Sequence, residues 1–135
     1  MDMASSSWTC DRSTYLKSLL PATSPILVSS GGGIDLKASL GSWATSCPAI
    51  DIVSVHDYGT DPSSTVPALV AAAKGVAAGK RVMLGEWGIS GPNKASTIAK
   101  FVSMLKEAGM PWMIWEVVKP GKSDSDLEVR PVATS

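Results

Sequence analysis

The stretch Val82-Met83-Leu84-Gly85-Glu86-Trp87-Gly88 decides how this chain is read. Three apolar residues without polar alternation are what a strand buried on both faces shows. A carboxylate then follows at once, flanked by glycine and an aromatic residue. Such a group is costly to bury unless it is hydrogen-bonded to neighbouring loops or used in chemistry. Working outward, three further short apolar runs, 26–29, 50–55 and 112–118, recur at the spacing of βα units. Each is rich in β-branched or aromatic residues, and all four are expected to be parallel strands.

Helical patterns fill the intervals. Thr65 is expected to cap a helix with Pro67 in its first turn, Val66, Leu69, Val70 and Ala73 on one face and Gly79 at its end. Over 93–109, Ile98, Val102 and Leu105 form an inner stripe while Lys100, Ser103, Lys106 and Glu107 point outward. Gly109 and Pro111 end that helix. Upstream, Tyr15, Leu16, Leu19 and Leu20 predict a helix stopped by Pro21, and Leu36, Leu40, Trp43 and Ala44 another before Cys47 and Pro48. Repeated βα units with right-handed crossovers build either an open doubly wound sheet or part of a (β/α)8 barrel. A complete barrel takes about 250 residues, so 135 residues with four strands correspond to about half of one. The fold class expected is α/β, a partial (β/α)8 TIM barrel over 1–118, with a polar, proline-punctuated tail over 119–135 that is loosely ordered.

Composition narrows the partners. Hydrophobic residues make up 44% of the chain, enough for a buried core. Twelve basic and twelve acidic residues cancel, and with no run of like charge neither nucleic acid nor an anionic membrane surface is an expected partner. No apolar stretch approaches the roughly 20 residues that cross a bilayer, and the first ten residues lack the layout of a signal peptide. Cys10 and Cys47 have no second Cys or His at metal-ligand spacing, which leaves a disulfide or two free thiols. A disulfide fits a secreted protein, and the missing signal peptide then points to an N-terminus that is not the natural one. No motif for a metal or an organic cofactor occurs: the Gly31-Gly32-Gly33 turn lacks the rest of a dinucleotide fingerprint. The simplest role of that turn is to let the chain leave its strand sharply.

In βα architectures, polar residues at the C-terminal ends of strands face the substrate. This selects Ser29, Ser30 and the Gly31 to Gly33 turn, then His56, Asp57 and Tyr58, then Glu86 and Trp87, then Trp115 and Glu116. His56 and Tyr58 are two apart, so they share a side of an extended strand and reach a carboxylate on the adjoining one. A tyrosine hydroxyl donating to a carboxylate favours its ionised form, which a carboxylate nucleophile needs. As the sole histidine, His56 is otherwise a hydrogen-bonded core group, and Glu86 a structural anion. Trp115 is either core packing or a platform for the apolar C–H face of a sugar ring, and Trp87 is a second, weaker candidate. Trp8, Trp43 and Trp112 are expected to pack.

In order, Val53-Ser54-Val55-His56-Asp57-Tyr58, Val82-Met83-Leu84-Gly85-Glu86-Trp87-Gly88 and Trp112-Met113-Ile114-Trp115 resemble strands six, seven and eight of clan-A glycoside hydrolases. The likeness is strongest to family-5 cellulase-like and mannanase-like enzymes, in particular fungal ones. It covers about residues 8–118, with 26–30 as strand five. What the resemblance implies is a retaining O-glycosyl hydrolase acting on a β-linked oligo- or polysaccharide of the glucan or mannan type, extracellular and without a cofactor. Two carboxyl groups about 5 to 5.5 Å apart do that chemistry, one attacking the anomeric carbon and one serving as acid and base. Glu86 matches the nucleophile, His56 and Tyr58 the residues that hold it, and Trp115 the sugar platform.

One departure bears on activity. The family's acid/base glutamate follows an asparagine at the end of strand four, and this sequence contains no Asn-Glu pair, opening with Met1-Asp2-Met3-Ala4 where that segment should have ended. Asp2, Asp57 and Glu116 are poor substitutes, because the first sits on a terminus and the others follow side chains already assigned inward. The expectation is a fragment lacking its acid/base segment and inactive alone. Two alternatives stand beside it: a carbohydrate-binding remnant without chemistry, and a half-barrel that self-associates to close eight strands. The bland alternative is a small open α/β domain in which Glu86 is incidental.

Overall fold

Val53 and Val55 of one strand and Val82 and Leu84 of the next turn the same way and are buried together, so that a parallel pair forms around an apolar seam. The computed structural model describes residues 7–76 and 79–118. Its elements run α1 (Trp8–Ser18), α2 (Leu36–Ser39), α3 (Ser42–Thr45), β1 (Ile52–His56), α4 (Pro62–Gly75), β2 (Arg81–Trp87), α5 (Lys94–Glu107) and β3 (Trp112–Ile114). The three strands form one parallel sheet in the order β1-β2-β3. Helices α4 and α5 are the crossovers, and their buried Val66, Leu69, Phe101 and Leu105 join the strand valines and leucines in one core. The mixed α/β class and the parallel sheet are as the sequence predicts. Among the described residues no helix is long and apolar enough to cross a membrane.

Two of the four predicted strands are shorter than expected. Residues 26–29 make only an isolated parallel bridge, Ser29 to Ile52, with Ser30 N–H donating to the Ile52 carbonyl at 2.9 Å. The predicted strand over 112–118 is ordered as β3 only for Trp112–Ile114. Among the described residues each segment pairs with β1 or β2 on one side, and a ladder with one neighbour supplies half the hydrogen bonds of a central strand.

The helix starts also differ from expectation. Asp61, rather than Thr65, caps α4: its carboxylate accepts from Ser63 N–H at 3.0 Å, and Pro62 occupies the first turn. Pro67 therefore lies inside the helix, which ends at Gly75 and not at Gly79. The single helix expected around Leu36–Ala44 is two short ones, because Gly41 takes extended angles of −59° and 154° between them. Helix α5 closes as predicted: Gly109 (φ +64°) and Met110 N–H groups return to the carbonyls of Lys106 and Leu105. Helix α1 ends at Ser18, short of Pro21, and Tyr15, Leu16 and Leu19 at its C-terminal end are exposed. Trp8 is likewise exposed and lies under the Arg12 guanidinium, 5.9 Å from the ring centre.

Below the sheet, at the N-terminal end of β1, α1 is tied down twice. Cys10 and Cys47 are joined in a disulfide. Lys17 and Asp51 form an ion pair at 2.5 Å, and the same Asp51 carboxylate accepts from Val28 N–H at 2.7 Å. The lysine, first, and the backbone donor, second, hold the Asp51 carboxyl below the usual aspartate range. Lys80 Nζ fastens the same end of the sheet by donating to the carbonyls of Cys47 and Ile50.

Candidate active site

A shift of register sets the geometry. Ile52 to Val55 pair in step with Arg81 to Leu84, but His56 pairs with Glu86, so Gly85 is the extra residue of a bulge. Side chains alternate along a strand, and one extra residue reverses the alternation beyond it. Glu86 is therefore brought to the face of His56, while Trp87 is turned to the opposite face. The bulge has room for no side chain: a Cβ on Gly85 would stand 2.0 Å from Ser54 Oγ.

Three of the predicted residues converge. Tyr58 Oη donates to Glu86 Oε1 at 2.5 Å, and His56 Nδ1 lies 4.0 Å from Glu86 Oε2. The loop carrying Tyr58 is held by Asp57, whose N–H donates to the Glu86 carbonyl at 3.1 Å and whose carboxylate accepts from Gly59 N–H at 2.7 Å. The Asp57 side chain is thus engaged in the turn and not directed at the carboxylate. Burial first, then the hydrogen bond to Glu86, then the charges of Glu86 and Glu116 push the Tyr58 phenol well above its ordinary range. The phenol stays protonated and remains a donor to Glu86 throughout the neutral range.

Two predicted aromatics separate. Trp115 N–H donates to the Trp87 carbonyl at 2.7 Å, while its ring is 45% exposed just past β3. Trp87 is only 1% exposed, tilted against Phe101 at 4.9 Å and edge-on to Trp112 at 5.7 Å. The sugar contact expected of Trp87 is therefore corrected: the bulge puts this ring in the core, where ligand has no access. Its indole Nε1 is buried without a hydrogen-bond partner among the described residues.

Two residues support His56: Gly32, in the glycine turn that the sequence selects, and Ser39, which the sequence does not single out. Ser39, fully buried, donates from Oγ to the Asp35 carbonyl at 2.7 Å and accepts from Gly33 N–H at 2.9 Å and His56 N–H at 3.3 Å. One hydroxyl thereby uses its donor and both lone pairs to join the glycine turn to the end of β1. Gly32, at φ +75°, lies so close to the imidazole that a Cβ would stand 2.6 Å from His56 Cδ2. The Gly31-Gly32-Gly33 turn after the 26–29 run was the available signal for this contact; a serine in a short helix offers none.

No protein-family model matches the chain, and no curated protein does. Among solved structures it is similar to the hyperthermostable endo-1,4-β-D-mannanase from Thermotoga petrophila RKU-1, determined with maltose and glycerol. The TM-score is 0.63 at 16% identity, over 96% of this chain and 48% of that one. The likeness is one of fold, and the chain spans about half the length of that enzyme.

Proposed function

We propose that residues 1–118 are the C-terminal half of a (β/α)8 barrel and carry the nucleophile side of a retaining glycoside hydrolase active site. The observation that carries this reading is the short hydrogen bond from Tyr58 to Glu86 at the C-terminal end of a parallel strand, with His56 on the other carboxylate oxygen. A carboxylate held by a neutral donor is oriented for attack on an anomeric carbon. The likeness in fold to half of an endo-1,4-β-D-mannanase supports the same assignment.

In this mechanism Glu86 attacks the anomeric carbon, the glycosidic bond to the leaving oxygen breaks, and a glycosyl ester forms on Glu86 Oε2, the oxygen that Tyr58 does not occupy. Tyr58 keeps its proton and steadies the carboxylate. Trp115 offers a flat apolar face to the sugar ring. The acid/base carboxyl group comes from outside the described residues, and a chain without it is slow or inactive on unactivated glycosides, since such help contributes roughly 10² to 10⁴ in rate. The substrate class is a β-linked glucan or mannan. The Cys10–Cys47 disulfide fits action in an oxidising compartment outside the cell.

The test uses a substrate that needs no acid. An activated 2-deoxy-2-fluoro-β-mannoside or -glucoside carries a leaving group that departs without protonation, so Glu86 alone suffices to trap it. Peptide mass spectrometry is expected to find the fluoroglycosyl increment on the peptide containing Glu86, and to find none for Glu86→Gln. A folded chain labelled by neither sugar sinks the nucleophile assignment. Binding of oligosaccharide without labelling, read from quenching at the half-exposed Trp115, favours instead a carbohydrate-binding remnant.

A further inference from the structure

The imidazole of His56 is held from two sides. Its Nδ1 faces Glu86 Oε2, and its Cδ2–Nε2 side lies against Gly32, where a Cβ would meet Cδ2 at 2.6 Å and Nε2 at 2.7 Å. The backbone on both sides of the ring is gathered by one atom. Ser39 Oγ accepts from Gly33 N–H, next to the glycine that braces the ring, and from the N–H of His56 itself. The same hydroxyl donates to the Asp35 carbonyl, and the Asp35 carboxylate caps the four-residue α2 by accepting from Ala38 N–H at 2.7 Å. Ala38 closes on the turn as well: a Cβ on Gly33 would stand 2.8 Å from both its carbonyl carbon and its Cβ. Helix α2 is thus a bracket between the glycine turn and the end of β1, fastened through Ser39. With its proton and both lone pairs engaged, and no exposure to solvent, the Ser39 hydroxyl has nothing left to offer a ligand.

We propose that Ser39 is a positioning residue of the active site: by binding the backbone of Gly33 and of His56 together, it keeps the imidazole against Glu86 Oε2, the oxygen on which the glycosyl ester forms. The inference rests on the nucleophile reading of Glu86 and adds to it the residue that sets the approach of His56. Removing the hydroxyl takes the acceptor from two backbone N–H groups. Unpaired buried donors are costly, so the turn and the strand end part to admit water. Gly32 then leaves the Cδ2–Nε2 side, and the ring is free to turn away from the carboxylate. Ser30 supplies the comparison. It is also buried, and its Oγ accepts from Ser54 N–H at 2.9 Å, on the same strand but two residues before His56. Both serines fasten β1, but only Ser39 also fastens the turn that braces the ring.

His56 is the only histidine, so proton–carbon correlation NMR of the whole chain reads its ring without overlap from another imidazole. At one fixed pH, Glu86→Gln is expected to shift the His56 ring resonances by removing the charge that faces Nδ1. In the Ser39→Ala background that response is expected to shrink or vanish, and in the Ser30→Ala background to persist. Gly32→Ala keeps the serine hydroxyl but drives a methyl group at the ring; it is expected to abolish the response too, and it carries the test if Ser39→Ala does not fold. Labelling of Glu86 by the activated 2-deoxy-2-fluoroglycoside is expected to slow by about 10- to 100-fold in Ser39→Ala, the scale of a misplacement of about an ångström. A response to Glu86→Gln that is unchanged in folded Ser39→Ala or Gly32→Ala, or that is lost equally in Ser30→Ala, overturns the proposal. Labelling of Ser39→Ala at the parent rate overturns it as well. The resonances are read without substrate, so these outcomes are distinct from a parent chain whose Glu86 is never labelled, which sinks the nucleophile assignment.

Discussion

Tyr58 has one proton to give and gives it to Glu86, which fixes the direction in which the phenol titrates. Burial and the neighbouring carboxylates hold the proton on, above the ordinary value near 10. In a spectrophotometric titration the chain should therefore show one tyrosine ionising late. Tyr58→Phe is expected to remove that late step, and Glu86→Gln to move it to lower pH by removing an accepted hydrogen bond and a charge. The two tryptophans divide in the same experiment-ready way. Trp87→Ala should cost about 3 to 5 kcal/mol in denaturant unfolding, as deletion of a buried aromatic does, whereas Trp115→Ala at a half-exposed ring should cost under about 1 kcal/mol. If Trp115 is the sugar platform, its replacement weakens oligosaccharide binding while leaving the melt nearly unchanged.

At the scale of elements, the strand runs over 50–55 and 82–84 and the helix over 93–109 were legible because each carries its own period and its own stop signals. What was not legible is what depends on a partner. Whether 26–30 extends as a strand is decided by what lies beyond it, and the α1 stripe of Tyr15, Leu16 and Leu19 predicts a buried face only if something covers it. The bulge is the sharper case. Glu86 was found from its place at a strand end, but an alternation counted along 82–88 without the extra residue would send Glu86 and Trp87 to each other's faces. Only the pairing with β1 reveals that Gly85 is skipped. Gly85→Ala is expected to destabilise the fold by about 1 to 3 kcal/mol, the usual range for overpacking. Ser54→Ala in the same background should restore part of that, since Ser54 Oγ is the nearest atom to the added methyl and Ser54 Cβ, at 3.3 Å, remains in place. A double-mutant cycle in urea measures the coupling.

At the scale of the whole molecule, the two ends of the sheet are built differently. Asp51 sits at the lower end, joining α1 through Lys17 and the 26–30 segment through Val28 N–H. Its carboxyl titrates lower in the folded chain than in the unfolded one, so its stabilisation is present above the unfolded value near 3.9 and is lost as pH falls through the folded value. Asp51→Asn should cost about 1 kcal/mol at neutral pH for a partly exposed pair. The gap from the parent chain should close in acid, below the ordinary aspartate range.

The covalent link between Cys10 and Cys47, the Lys80 contacts to two carbonyls and the Asp51 pair all lie at this lower end, whereas His56, Tyr58, Glu86 and Trp115 lie at the upper one. Anchorage and chemistry therefore draw on separate sets of residues. Such a division gives the upper rim latitude to drift: loop replacements around Tyr58 or Trp115 can reshape the mouth beside Glu86 while the base of the sheet keeps its fastening. Over evolutionary time the same base can carry a succession of specificities.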